Sequence, residues 1–451
     1  MFNPNKKYGI LGLARSGIAA AYKIKEMGGK AFLSEVQWKD KVSGSNQLEQ
    51  DFECEFGGHT AKLFDCDEWI VSPGIPLSIP IIQQGKARGI SMISEIEFGY
   101  QIKAEDSKII AVTGSNGKST TASLIYHILL GAGKKAILAG NIGDAFCGYP
   151  INQPGIEYIV LEISSFQLDL IQSFKPNVSV ILNITPDHLN RYESFDHYAA
   201  SKFRITENQD GRDYAILNLD SEIIANHIPM IKANQKYFSI QKQYPETDAW
   251  MDGKFICFED LARISMYDLS LRGPHNHANV MASVLAVYSL TGDLDAAIQN
   301  LKGFKPLSHR LELVGTVNGV FFYNDSKATN TDSVRSALMS FESPIRIIMG
   351  GSDKGEDFGN LTDILKAKAS KVYITGETEG KMRQAWLGKL PLVCISDFRA
   401  CVRAAFEDSL AGDTVVLSPG CASYDRFQNF EHRGETFRQI VQEIIKENEK
   451  N

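Results

Sequence analysis

The sequence predicts an α/β protein of three domains, and three observations carry that prediction. Strand-like apolar runs recur with helical stretches between them: Tyr8 to Leu13, Ile109 to Thr113, Tyr158 to Glu162, Val178 to Ile184, Tyr214 to Asn218, Arg346 to Met349, Val372 to Thr375 and Thr414 to Ser418. Such alternation favours mostly parallel sheets joined by helices. Three strands run into glycine-bearing turns, at Gly12 to Gly17, at Gly114, and at Met349-Gly350-Gly351-Ser352, each read as the ligand-facing end of a different domain. At 451 residues the chain exceeds what one core ordinarily serves. The charged segment Lys103 to Lys108 and the turn-rich Lys305-Pro-Leu-Ser308 mark the joints, giving domains 1–105, 106–307 and 308–451.

Bulk properties exclude several classes of function. Hydrophobic residues make up 43% and charged residues 22%, a globular balance without an apolar run of membrane-spanning length. The N-terminus lacks a signal pattern, so a cytoplasmic protein with no membrane partner is expected. A net charge of -7 argues against a nucleic-acid partner but leaves anionic small molecules open. The seven cysteines are scattered without a close pair, the pattern of reduced thiols rather than of disulfides or a zinc site.

In the first domain, Gly12-Leu-Ala-Arg-Ser-Gly17 follows a strand, and Glu35 ends the next apolar run as a ribose acceptor would. Ala14 stands where a dinucleotide fingerprint has its second glycine, which weakens that reading. A bare βα turn is the alternative. Against it, Ser72-Pro-Gly-Ile-Pro76 supplies a second stiff turn after the strand Glu68 to Val71, and two such turns on neighbouring strands suit a nucleoside diphosphate.

The central domain opens on the most informative segment, Thr113-Gly-Ser-Asn-Gly-Lys-Ser-Thr120, between the strand at Ile109 and a helix expected from Thr121 to Leu130. Backbone N–H groups in such a turn point at phosphate; Lys118 would neutralise β- and γ-phosphates and Ser119 would reach Mg²⁺. The usual first glycine falls at Val112, so the loop is a variant. Glu162 ends a strand, either as an acid facing water or as a metal ligand. Val178 to Ile184 runs into Asp187-His188, so Glu162 and His188 could share a metal. Lys202 lies in a helix after that loop, where composition alone reads a solvated lysine. Ser239 to Leu271 reads as an irregular excursion turning at Gly253. Asn276 and Asn279 precede a helix from Val280 to Leu290, placed either to cap it or to reach a nucleotide, and capping is the simpler reading.

In the third domain, His309-Arg310 precedes two short strands, and Asp325-Ser-Lys327-Ala-Thr329-Asn330 follows the second with more polar groups than a turn requires. Gly350 to Gly355 and Ser418 to Ser423 follow two further strands. This edge of Lys, Thr and Ser suits a carboxylate-bearing substrate, with Lys354 as its charge partner.

Taken together, these segments resemble the Mur ligase family over nearly the whole chain. The phosphate loop with its missing first glycine, Asn141-Ile-Gly143, Asp187-His188, His275-Asn276 to Asn279, His309-Arg310 and Asp325 to Asn330 stand in family order. Ser72 to Pro76, Ser164-Ser-Phe-Gln-Leu168 and Ser418 to Ser423 with Asp425, Phe427 and Phe430 are similar to the branch that adds D-glutamate.

The resemblance implies an N-terminal Rossmann-like UDP-binding domain, a central P-loop ATPase-like parallel-sheet domain and a C-terminal Rossmann-like domain. It implies ATP-dependent addition of D-glutamate to UDP-N-acetylmuramoyl-L-alanine, with ADP and phosphate released, by a monomer. ATP would meet Gly114, Ser115, Asn116, Gly117, Lys118, Ser119, Thr120, Asn276, Asn279, Arg310, Asp325 and Lys327. The UDP-substrate would meet Ser16, Ser34, Glu35, Ser72, Gly74, Asn141 and Ser164, and D-glutamate would meet Thr329, Lys354, Ser423 and Phe430. Two Mg²⁺ sites would draw on Ser119, Glu162, His188 and Lys202 as a carbamate, with Lys118, Glu162, His188 and Lys202 catalytic. A family ligase adding another amino acid, or lengthening folate with glutamate, is the nearest alternative. A P-loop regulatory NTPase is a distant one.

Overall fold

In the first sheet every strand is parallel, because each connection is a helical crossover. The computed structural model describes residues 2–187, 191–259, 262–271 and 273–449. The sheet comprises β1 (Lys7–Leu11), β2 (Lys30–Glu35), β3 (Glu53–Phe56), β4 (Glu68–Val71) and β5 (Ser91–Ile93) in the order β3-β2-β1-β4-β5. Strand order reverses between β1 and β4, so their carboxyl ends border the crevice where such sheets take ligands. Ile10, Leu11, Leu33, Ile70 and Val71 are buried, as strands covered on both faces require.

The second sheet carries the phosphate loop. Its strands are β6 (Lys108–Thr113), β7 (Ala136–Gly140), β8 (Tyr158–Glu162), β9 (Val178–Ile181), β10 (Tyr214–Asn218), β11 (Asn234–Ser239), β12 (Ala249–Asp252), β13 (Phe255–Phe258) and β14 (Ala262–Ser265). They lie in the order β14-β13-β12-β11-β10-β9-β6-β8-β7, which puts β6 between the strands ending near Glu162 and Asn183. The segment expected to be irregular is instead the antiparallel extension β12-β13-β14 of this sheet. Gly253-Lys254 alone joins β12 to β13, and a connection that short dictates a hairpin.

The third sheet contains β15 (Glu312–Val317), β16 (Val320–Asn324), β17 (Ile345–Met349), β18 (Ala369–Ile374), β19 (Leu392–Cys394) and β20 (Thr414–Leu417). Its order is β15-β16-β20-β17-β18-β19, parallel except for the β15-β16 hairpin.

The chain divides into two compact units, one running to Asp268 and taking in Ala278–Lys302, the other made of Leu269–His277 and Gly303–Asn451. Within the first unit, the first two sheets share one apolar core, in which Tyr8, Ile10 and Phe98 join Ile109, Phe146, Leu161 and Phe174. The helix Glu95–Ile102 fastens the joint with two buried carboxylates. Glu97 accepts the backbone N–H groups of Gln172 (2.9 Å) and Phe174 (2.8 Å), and Glu95 accepts that of Cys147 (2.6 Å). Glu97 thus has the donors a buried anion needs, whereas Glu95 keeps one oxygen unpaired and burial raises its pKa to about 7.

Candidate functional site

The phosphate loop is shaped by what its first residues surrender to the neighbouring strand. Ser115 Oγ donates to the Thr185 carbonyl (2.9 Å), and Asn116 N–H donates to Asn183 Oδ1 (2.8 Å). These bonds hold the loop against the segment after β9, which therefore ends at Ile181 rather than Ile184. The helix begins at Lys118, earlier than expected, because Gly117 takes the left-handed conformation (φ 87°) that turns the chain into it. A Cβ on Gly117 would lie 2.4 Å from Asn279 Oδ1, so glycine is required there twice over. The Lys118 amine is folded back on its own loop, donating to the carbonyls of Gly114 (2.9 Å) and Ser115 (2.8 Å).

Lys202 overturns its compositional reading. Its side chain is only 2% exposed, its amine donates to the same Gly114 carbonyl at 2.8 Å, and it lies 4.6 Å from the centre of the Tyr198 ring. Burial, followed by the Lys118 charge, holds its pKa well below the usual lysine value. Glu162 is 3% exposed: Oε1 accepts the Asn141 side-chain N–H at 2.9 Å, while Oε2 is buried without a hydrogen-bond partner. A buried carboxylate oxygen left unpaired is costly and suits a cation. Asp187, Glu162 and Asp169 all act on the Lys202 amine electrostatically. His188, expected as a metal ligand, lies outside the described residues.

In the first-domain crevice, the turn glycines are structural. A Cβ on Gly17 would stand 2.0 Å from the Gly12 carbonyl oxygen, which also accepts the buried Ser72 hydroxyl at 2.7 Å. Glu35 Oε2 accepts Leu13 N–H (2.7 Å), tying the carboxyl end of β2 to the β1 turn. Ser34 is fully buried, Ser16 is half-buried and Gly74 is exposed. The central domain reaches this crevice through Arg191, whose guanidinium donates to the carbonyls of Gly74 (3.0 Å) and Ile75 (2.8 Å) and stacks 4.1 Å over the Phe166 ring. Arg15 answers from the first domain, donating to the Gly143 carbonyl at 2.5 Å. Ser164 caps the short helix Ser165–Leu168 in a capping box with Gln167.

The helix carrying Asn276 and Asn279 is Pro274–Thr291, so both residues lie within it and neither caps it. Proline at the first helical position sets that start. In the second unit, His275 is half-buried beside His277 and Arg310, its pKa pushed down to about 4 chiefly by burial.

Asp325, at the end of β16, accepts the Ser418 hydroxyl (2.8 Å) and the Leu311 N–H (3.2 Å), and burial pushes its pKa up to about 7. The Lys327 amine lies 3.7 Å from the centre of the Phe430 ring, so residues assigned separately to ATP and to D-glutamate come together. Ser423 is buried, Thr329 is half-buried and Lys354 is exposed.

The organiser of these loops is Arg433, which sequence reasoning missed. Only 2% exposed, its guanidinium donates to Ser326 Oγ (3.0 Å) and to the carbonyls of Ser326 (2.8 Å), Ala422 (3.1 Å) and Cys421 (3.1 Å). It fastens the Asp325-Ser-Lys327 loop to the Ser418 to Ser423 loop. A signal was available: Arg433 falls on the stripe Phe437, Ile440, Val441 and Ile444, the buried face of the helix Phe430–Asn448. A cation on an apolar stripe is rare unless partnered.

This arrangement accords with comparison to known proteins. Family models match residues 6–94 as a Mur ligase MurD-like N-terminal domain, 112–287 as a Mur ligase middle domain and 309–421 as a Mur ligase glutamate ligase domain. The chain is 38% identical to the UDP-N-acetylmuramoylalanine--D-glutamate ligase of Salinibacter ruber, over 97% of each chain. It is 37% identical to the enzyme of that name from Caldicellulosiruptor saccharolyticus, over 97% of this chain and 99% of the relative. Among solved structures, the UDP-N-acetylmuramate-alanine ligase of Thermotoga maritima superposes with a TM-score of 0.63 at 17% identity, over 97% of this chain and 100% of that one. The MurF ligase of Thermotoga maritima in complex with ADP gives 0.63 at 17% identity, over 92% and 95%. These two likenesses concern the fold; the full-length relatives settle the family. The chain belongs to the Mur ligase family.

Proposed function

We propose that this chain joins D-glutamate to the L-alanine carboxylate of UDP-N-acetylmuramoyl-L-alanine at the expense of ATP. The relatives of nearly equal length that bear that activity in their names support the reading. The observation that carries it on the chain itself is the pair of amines, Lys118 and Lys202, converging on the Gly114 carbonyl in a site that also holds the unpaired Glu162 oxygen.

A carboxylate is a poor electrophile, so ATP first converts it to an acyl phosphate. The amine of D-glutamate then attacks the acyl carbon, and phosphate leaves from the tetrahedral intermediate. Lys118 would exchange its loop carbonyls for β- and γ-phosphate oxygens, offsetting charge as the phosphoryl group moves. Ser119 and Glu162 would hold Mg²⁺, which when bound supplies further positive charge to the phosphates. Burial disfavours the charged form of the Lys202 amine, and the neutral amine is the form that adds to CO₂: its nitrogen bonds to carbon, a proton leaves, and a carbamate anion results. That anion would lie beside Lys118 and give a second metal an oxygen ligand, with His188 as its companion.

Within the second unit, Asn276, Arg310, Asp325 and Lys327 would serve ATP, as would Asn279 in the first; Thr329, Lys354, Ser423 and Phe430 would receive D-glutamate. Ser16, Glu35, Ser72, Gly74, Asn141 and Ser164 would line the UDP-substrate path, with Ser34 beneath it. Domains are assigned at 1–105, 106–307 and 308–451, of which the first would take the UDP group. The deciding assay is ADP release with each amino acid, with and without the UDP-muramoyl-alanine acceptor. Release should require both acceptor and D-glutamate; release indifferent to D-glutamate sinks the assignment.

A further inference from the structure

The carboxyl ends of β2 and β3 carry a hydrogen-bonded trio that the chemistry above does not use. Ser34 Oγ is hydrogen-bonded to Glu55 Oε1 and lies 2.7 Å from His59 Nδ1. Glu55 also accepts the Thr60 N–H (3.0 Å) and the Thr60 hydroxyl (2.5 Å). Ser34 has a single hydroxyl proton, and a carboxylate only accepts. The Ser34 proton therefore goes to Glu55, and His59 must donate its Nδ1–H to Ser34. In a neutral imidazole this leaves the lone pair on Nε2. Burial lowers the His59 pKa against the opposing pull of Glu55 and Glu35, which favours that neutral form. Nε2 has no protein partner among the described residues, and it is not buried.

We propose that His59 reads the base of the nucleotide, its Nε2 accepting the N3–H of a uracil ring. The inference rests on the UDP-substrate lying in the first-domain crevice. In a doubly wound sheet the phosphates sit at the β1 turn and the nucleoside extends across the end of β2, which brings the base over the loops after β2 and β3. Uracil presents a donor at N3 and cytosine an acceptor, so the fixed lone pair attracts one and repels the other. Ser34 is the positioning residue: fully buried, it sets the tautomer without touching the base.

The test is calorimetric titration of the full chain with UDP and with CDP. The wild type should bind UDP about tenfold or more tightly than CDP, the factor expected when one buried hydrogen bond is exchanged for a clash of lone pairs. His59→Ala should lose about tenfold in UDP affinity and bring the ratio close to one, with KM for ATP and D-glutamate unmoved. Ser34→Ala provides a check that keeps the ring: with the tautomer released, Nε2–H can face cytosine, and CDP binding should strengthen relative to UDP. Ratios unchanged in both variants overturn the assignment of His59. A wild type that binds neither nucleotide overturns the placement of the UDP group itself, and the base assignment with it.

Discussion

The phosphate loop and the loops around Arg433 both hold basic side chains against backbone carbonyls, but they use them in opposite ways. In the first, two amines crowd one carbonyl and a carboxylate oxygen is left without a partner. In the second, one guanidinium satisfies a hydroxyl and three carbonyls, and its loops are complete as they stand. Unspent capacity marks a place that ligand charge completes; a closed network marks a place that holds geometry. Substitutions should therefore remove rate without stability in the first region, and remove both in the second.

The largest effect is expected at the phosphate loop. Lys118→Ala should lower kcat for substrate-dependent ADP release by roughly 10²–10³-fold, the scale of losing one preorganised charge at a transition state. Its melting temperature should hold, since the lost amine was bonded only to carbonyls of its own loop. A Lys118→Ala protein that melts early would make the loop a scaffold and erase the contrast. Removing CO₂ and bicarbonate should slow the wild type and leave an already slow Lys202→Ala unaffected. A wild type indifferent to CO₂ would return Lys202 to the role of a buried amine.

The Arg433 network should respond differently. Arg433→Met orphans three buried carbonyls, which should destabilise the second unit by on the order of 3 kcal/mol. For a unit of this size that lowers its melting temperature by about 10 °C. KM for D-glutamate should rise, because the loop bearing Ser423 loses its anchor; loss of stability with that KM unchanged would disconnect the loop from the substrate.

The same network predicts a dependence on pH. Burial raises the folded pKa of Asp325 to about 7 from an ordinary 3.8, so between those values the unfolded chain releases a proton that the folded one keeps. The contribution of Asp325 to stability is accordingly greatest below about pH 4, falls as pH rises to about 7 and levels off above it. The fall amounts to a few kcal/mol, at roughly 1.4 kcal/mol for each pH step of one between the two values. Asp325→Asn should flatten that slope in denaturant titrations at pH 5 and 8. A mutant slope equal to that of the wild type would move the titration elsewhere.

The contrast also explains what the sequence could disclose. Glycine turns after apolar strands are local signals, so three mostly parallel sheets and the loop at Gly114 were legible from the residues. The hairpin at Gly253-Lys254 was not, because its strands are short and gain their character only by extending an existing sheet. Lys202 and Arg433 were obscured for a shared reason: a basic side chain's burial is decided by what packs over it. Each nevertheless lies on its helix's buried face, Lys202 one turn after Tyr198 and Arg433 one turn before Phe437. Family resemblance pointed to Lys202, whereas Arg433 had only that spacing to reveal it.

The smallest expected effect tests whether the crevice has a third kind of cation, one that joins domains. Arg191 crosses from the central domain to the Ser72 to Pro76 turn, giving two hydrogen bonds to carbonyls and a stacking contact with Phe166. The Gly74 carbonyl it serves is exposed, so water can replace that donor. Arg191→Ala should therefore cost only about 1 kcal/mol, read as roughly a fivefold rise in KM for the UDP-substrate. KM for ATP should stay constant, because Arg191 touches the turn and not the phosphate loop. A fall in kcat with that KM unchanged would instead place Arg191 with Lys118, among the groups whose charge acts on the reaction.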